Sequence, residues 1–171
     1  MKKWDTKTLV TLSLLIAIQV VLSRFCSIAA WNVKIGFGFA PIAVAGILFG
    51  PLAGALVGGL SDFIGAILFP IGAYFPGFTL TAVLTGGVYG LFLHKRRGAM
   101  PILGAVAVTQ LLLSLCLNTL WISVLYGSPY LQLFLTRILQ VLILAPVEFV
   151  IIGGLMRVLA RYSGVTTGFR G

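Results

Sequence analysis

A chain of 171 residues that is 60% hydrophobic and 9% charged, with a mean hydropathy of +1.13, cannot fold as a water-soluble domain. No core of that size hides so much apolar surface. The net charge of +9 would suit nucleic acid, but the basic residues sit at the ends of apolar segments, where the positive-inside rule puts them, so no nucleic-acid partner is expected. These bounds predict an all-α integral membrane protein, with residues 1–171 forming one membrane-embedded six-helix domain.

The first span is predicted over residues 8–25. Lys2, Lys3 and Lys7 precede it and place the N-terminus in the cytoplasm. Met1-Lys2-Lys3 and the apolar run resemble a signal peptide, but Arg24 interrupts before the passable cleavage site at Ser27-Ile28-Ala29, so an uncleaved span is expected. Ser13 and Ala17 form a small-xxx-small pair that lets another helix approach. Gln19 and Ser23 share a face. Residues 26–39 then read as an outer loop, a flexible strap carrying Trp31, Phe37 and Phe39 between glycines; its alternative is a surface loop with anchoring rings.

The second span, 40–49, would reach only about 15 Å, so it is short, tilted or continued by the strap. Gly50-Pro51 turns the chain into a third span, 51–69, which holds Asp62. An acid inside a span is a functional candidate by default; the plainer reading is a packing acid satisfied by an arginine or hydroxyl. Residues 69–80 follow, with Pro70, Pro76 and the rings Phe69, Tyr74, Phe75 and Phe78. Irregular backbone at this depth either turns between spans or walls a cavity, and four rings favour the wall over an interfacial aromatic belt. The fourth span is 77–93, ended by His94-Lys95-Arg96-Arg97; the fifth is 99–126 and the sixth 131–159. Arg157, Arg161 and Arg170 return the C-terminus to the cytoplasm. Cys26 and Cys116 read as packing residues without metal-ligand spacing.

Measured along their helices from the outer turn at Ser128, Asn118 and Arg137 lie about 15 Å and 13 Å deep and Trp121 about 10 Å; Asp62 lies about 12 Å below Pro70, and Arg24 near the surface. Gln110, Ser114, Asn118 and Trp121 make one helical stripe, and Arg137, Gln140, Leu144 and Glu148 another. Together they predict a pocket in the outer half, roofed by Phe37 and by Tyr74, Phe75 and Phe78. Basic groups with few acids point to an anionic ligand, and the rings to a flat one. Asn118 and Asp62 could read hydrogen-bonding ring edges. A flat heteroaromatic compound with carboxylates satisfies both demands. Glu148, about 30 Å along its helix, is expected near the cytoplasmic face, paired with an arginine or packed, rather than on the ligand.

Catalytic parts are missing. There is no GxxxxGK[ST], GxSxG or HExxH, and one histidine with three acids leaves little for hydrolysis or metal chemistry, so no enzyme is expected. Uphill movement of a solute would draw on an ion gradient or on partner proteins.

VVLSRF (residues 20–25), KIGFGFAPIAVAGILFGP (34–51) and FPIGAYFPGFTLTA (69–82) resemble the substrate-binding S components of energy-coupling factor (ECF) vitamin transporters, most of all their folate-specific branch. The resemblance implies a six-helix bundle in a bacterial cell membrane. It implies a folate site in the outer half, gated by residues 31–39 and 69–78, with Arg24, Asn118 and Trp121 matching the branch best. It also implies a transmembrane T component and two ATP-binding subunits as partners. ATP and Mg would then belong to those subunits, with no cofactor in this chain, and the S component would topple in the membrane to release vitamin inward. Ser13 and Ala17 stand where the family has an alanine-xxx-alanine docking contact. The alternatives are an S component for another vitamin, an autonomous ion-coupled carrier using Asp62, and a membrane enzyme or structural protein.

Overall fold

A computed structural model of the chain describes residues 5–30, 33–95 and 98–166, with side chains over the same ranges except 28–35 and 162–166. Lys2, Lys3, Trp31, Asn32, Arg96, Arg97 and Arg170 therefore lie outside the described residues, as does the side chain of Lys34.

Six helices make up the described architecture: α1 (Thr6–Arg24), α2 (Phe39–Phe49), α3 (Pro51–Leu68), α4 (Pro76–Leu93), α5 (Ala99–Tyr126) and α6 (Tyr130–Thr166). All but α2 are long and apolar enough to cross a membrane. The eleven residues of α2 rise only about 16 Å, half of a bilayer core. α1 starts on Asp5, whose carboxylate accepts from the Thr6 N–H at 2.8 Å. α3 and α4 both start on proline, whose missing N–H costs nothing in a first turn. Gly50 links α2 to α3 with φ of 93°, a conformation that favours glycine.

One expected feature is corrected. The strap between α1 and α2 is an ordered antiparallel hairpin, β1 (Ser27–Ala30) and β2 (Val33–Gly36), pairing Ser27 with Gly36 and Ala30 with Val33. The β-branched residues Ile28, Val33 and Ile35 suit strands, a local signal that the glycine-phenylalanine alternation obscured. The hairpin, residues 69–75 and the α5–α6 turn mark one end of the bundle, here the hairpin end; Lys7, Lys95, Arg157 and Arg161 mark the opposite, basic end.

The core sits where α2, α3 and α4 meet, around Ala43, Ala53, Val57 and Tyr89, all fully buried. Apolar burial alone cannot drive helices together in lipid, so close backbone approach does. At the α3–α4 seam a Cβ on Gly86 would overlap the Gly54 carbonyl, and one on Gly54 the Gly86 carbonyl. Gly86→Ala is expected to destabilise the chain by about 1–2 kcal/mol, because helix backbone cannot give way as a side chain can. A thermal scan of the purified chain in detergent checks this; an unchanged midpoint would mean the seam has slack.

α5 carries a second irregularity. Val108–Leu117 is π-helical, wider than the single π-turn usually found inside α-helices. Thr109 sits at the transition and donates its hydroxyl to the carbonyls of Ala105 (2.9 Å) and Val106 (3.1 Å). Such side-chain bonds compete with the regular ladder where its register changes.

Candidate functional site

A cavity of about 260 Å³ occupies the hairpin half of the bundle. Gln19 and Ser23 reach it from α1, Ser27 and Gly36 from the hairpin, and Gly38, Phe39 and Ile42 from the start of α2. Phe78, Thr81, Ala82 and Thr85 line it from α4, Ser114 and Asn118 from α5, and Arg137, Gln140 and Leu144 from α6. The spacing explains the lining. Positions four apart share a helix face, so Gln19/Ser23, Thr81/Thr85 and Ser114/Asn118 each put two polar groups on one wall.

Several of these groups are already engaged within the fold. The Ser23 hydroxyl lies within bonding distance of the Val20 carbonyl (3.2 Å) and of Gln19 Oε1 (3.4 Å). Thr81 donates to the Gly77 carbonyl at 3.0 Å, and Thr85 to the Thr81 carbonyl at 2.8 Å. Asn118 Oδ1 and Arg137 Nε are buried without a hydrogen-bond partner among the described residues. Buried polar atoms are nearly always paired, so an orphan acceptor and an orphan cationic donor in one cavity wall mark a place for a ligand.

The charge balance points the same way. Arg137 is 5% exposed, and the three acids of the chain are all used elsewhere. Asp5 caps α1, Asp62 faces Arg24, and Glu148 accepts from Gln110. Among the described side chains the cavity wall therefore contains one formal charge, the Arg137 guanidinium, with no carboxylate to neutralise it. Burying a lone charge is expensive, and an anionic guest offsets that cost.

Arg24 and Asp62, both expected on the ligand, meet each other instead. Arg24 Nη2 lies 3.9 Å from Asp62 Oδ1 and donates to the Asp62 carbonyl at 3.4 Å. The side chain has room because residue 65 is glycine; a Cβ there would come within 2.8 Å of Arg24 Nε. Thr79 donates to Asp62 Oδ2 at 2.9 Å. The packing-acid reading of Asp62 thus describes its surroundings: α3 contributes nothing to the cavity wall. Trp121 also stands behind the wall. Its indole N–H donates to Thr81 Oγ1 at 3.1 Å and its ring lies 5.6 Å from Phe75, over Gly77, where a Cβ would clash with both rings.

No ring of residues 69–75 lines the cavity, although Phe75 packs against Trp121 and against Phe78 of the cavity wall. Phe69 meets Phe25 edge-on at 5.1 Å and Tyr74 meets Phe63 at 6.0 Å, while Phe37 and Tyr74 remain exposed. Of the residues expected to bind, Phe78, Asn118, Arg137 and Gln140 line the cavity; Arg24, Phe37, Asp62, Tyr74, Phe75 and Trp121 do not. Gln19, Ser23, Thr81, Thr85 and Ser114 line it without having been singled out as binding residues, and the signal was their four-residue spacing inside apolar spans. Glu148 differs from its expected arginine pairing. One turn below Leu144 it is 1% exposed and accepts from Gln110 Nε2, because the π segment of α5 lies against α6 there. Ser13 and Ala17 both lie on an exposed face of α1.

Comparison with known proteins agrees with this architecture. Residues 7–163 match the family described as "ECF transporter, substrate-specific component". The chain is 37% identical over 162 residues to the folate transporter FolT of Clostridium novyi, covering 94% of this chain and 93% of that one. It is 31% identical over 153 residues to the folate transporter FolT of Leuconostoc mesenteroides, covering 85% and 82%. A crystal structure of FolT bound with folic acid superposes with a TM-score of 0.85 at 32% identity, covering 90% of this chain and 94% of that one. A six-helix membrane bundle, a polar cavity in its hairpin half and a family match over almost its full length make this chain a member of the substrate-specific components of ECF transporters, a transport protein and not an enzyme.

Proposed function

We propose that the chain binds folate in the cavity between α1, α4, α5 and α6 and serves as the binding subunit of an ECF-type importer in a bacterial cell membrane. The observation that carries this is Arg137, a buried cation without a protein carboxylate, lining the same cavity as the orphan acceptor of Asn118. Folate offers a carboxylate for the first and ring-edge N–H donors for the second. The relatives named for folate and the folic-acid-bound structure support the same ligand. At about 260 Å³ the cavity lies just below the roughly 300–1,000 Å³ of ordinary ligand sites. Folate therefore needs the cavity to widen on binding, and the hairpin, which lines it at Ser27 and Gly36, is the element placed to give way.

In this reading both termini are cytoplasmic, because nine of the twelve lysines and arginines flank the spans on that side. The hairpin end then faces outward and receives the vitamin. A transmembrane T component and two ATP-binding subunits complete the importer, and the exposed Ser13–Ala17 face of α1 is offered to the T component. ATP and Mg act in those subunits. An autonomous ion-coupled carrier using Asp62 is disfavoured by the engagement of that carboxylate with Arg24 and Thr79.

Titrating the purified chain with folate should quench tryptophan fluorescence saturably, near one per chain and without ATP. Trp121 is the reporter, since its indole holds Thr81 in the cavity wall. Riboflavin and thiamine, corrected for absorbance, should leave the signal unchanged. No response to folate would sink the assignment; a saturable response to a control would redirect it to another vitamin.

A further inference from the structure

A second cavity, of about 340 Å³, opens at the basic end between the first turns of α5 and the later turns of α6. Ile102, Phe149 and Met156 form its apolar walls, Gly153 and Ala160 keep it open, and Arg157 supplies its one charged group among the described residues. It shares no residue with the cavity in the hairpin half. We propose that it is a binding site for one anionic glycerophospholipid, with an acyl chain lying along Gly153 and the phosphate on Arg157.

Three observations lead there. The glycine has no internal reason to be small. A Cβ on Gly153 would meet only Ile102 Cδ1, at 3.9 Å, an ordinary contact, and one on Gly154 would meet nothing within 4 Å. At the α3–α4 seam, by contrast, Gly86 is required by the opposing backbone. Space kept open beside Gly153 is therefore space for something outside the chain.

The surroundings are hydrocarbon. Met100, Leu103, Val150 and Val158, around the groove on α5 and α6, are 80%, 57%, 70% and 52% exposed, as lipid-facing residues are. An acyl chain is thus the neighbour at hand.

The charge selects the headgroup. Arg157 is exposed one turn, about 6 Å, beyond Gly153 toward the basic end, with Arg161 exposed one turn further. The three acids of the chain are engaged elsewhere, so neither arginine has a carboxylate of its own. A guanidinium grips phosphate bidentately, and basic residues at this depth favour anionic over zwitterionic lipid.

The test is native mass spectrometry of the full chain, stripped of lipid in mild detergent and incubated with dioleoyl phosphatidylglycerol or dioleoyl phosphatidylcholine. The chain should keep one phosphatidylglycerol, about fivefold more than phosphatidylcholine. Arg157→Gln should bring that ratio close to one. Gly153→Leu should lower retention of both lipids by filling the groove, and Ala160→Leu should do so from the other side if Gly153→Leu fails to fold. Circular dichroism and the melting midpoint monitor folding of each variant. Equal retention of the two lipids by the wild-type chain, or a preference that survives Arg157→Gln, overturns the proposal. So does retention unaffected by groove filling. A dimer abolished by Gly153→Leu, with lipid retention unchanged, would assign the groove to a second copy instead.

Discussion

Arg137→Ala is expected to weaken folate binding roughly a hundredfold or more, the equivalent of about 3 kcal/mol. The size follows from where the charge sits. The guanidinium is 5% exposed, its Nε has no partner among the described residues, and no carboxylate of the chain reaches it. Any carboxylate that enters the cavity meets a cation unscreened by water, where a charged hydrogen bond is at its strongest. The same isolation predicts the opposite effect on the empty protein. Removing an uncompensated buried charge relieves a desolvation cost, so the ligand-free variant should melt no lower than wild type. Folate at a thousand times its dissociation constant stabilises a binding protein by about 4 kcal/mol, and at an unchanged concentration that gain should mostly vanish in Arg137→Ala. Calorimetric titration with melting curves, with and without folate, measures both. A loss of affinity accompanied by a lower ligand-free midpoint would indicate a structural role for the arginine; unchanged affinity would move the anion elsewhere. Arg24 provides the contrast. It is already held by Asp62, at 3.9 Å and through the Asp62 carbonyl, so its removal should act through the α1–α3 contact and the hairpin beside it.

That contrast also marks how far the sequence could be read. Depth was legible, because helical rise converts residue counts into ångströms, and Arg24, Asp62, Asn118, Trp121 and Arg137 do share the hairpin half of the bundle. Azimuth was not. Whether Asp62 faces the cavity or the back of α4 depends on the order of helices around the bundle, and that order is set by the glycine contacts between α3 and α4. Those contacts carry Asp62 behind the wall toward Arg24, and they leave α3 without a lining residue. The α5 stripe survived in part. Ser114 and Asn118 both line the cavity although the helix widens between residues 108 and 117, but Gln110 turns to Glu148, and Trp121, beyond the π segment, to Thr81. The hairpin was hidden by composition: its glycines and aromatic residues read as a strap, while the β-branched pattern that pairs its strands is only a few residues long.

Removing either member of the Gln110–Glu148 pair should cost about 2–3 kcal/mol, and removing both should cost less than either alone. The pair bridges α5 and α6 just below the cavity, one turn beyond Ser114 and Leu144, and Glu148 is 1% exposed. Gln110→Leu leaves a carboxyl group buried without its donor, and Glu148→Leu leaves an amide without its acceptor. Each orphan carries the full penalty of desolvation, because neither water nor lipid can replace the partner. In Gln110→Leu/Glu148→Leu nothing polar is left to satisfy, and two apolar side chains of similar length take the place of the bond. A double-mutant cycle on the melting free energy should therefore be strongly non-additive, with a coupling of about 3 kcal/mol. Additive losses would mean that the two side chains stabilise the bundle independently, by packing alone. Folate affinity separates structure from function. Neither residue lines the cavity, so the double variant should bind folate within about threefold of wild type, less than 1 kcal/mol. If it folds and binds normally yet no longer supports uptake by the assembled transporter, the pair matters to inward release rather than to recognition. It would then do so through the seam where the π segment of α5 meets α6, beneath the same wall that holds Asn118 and Arg137.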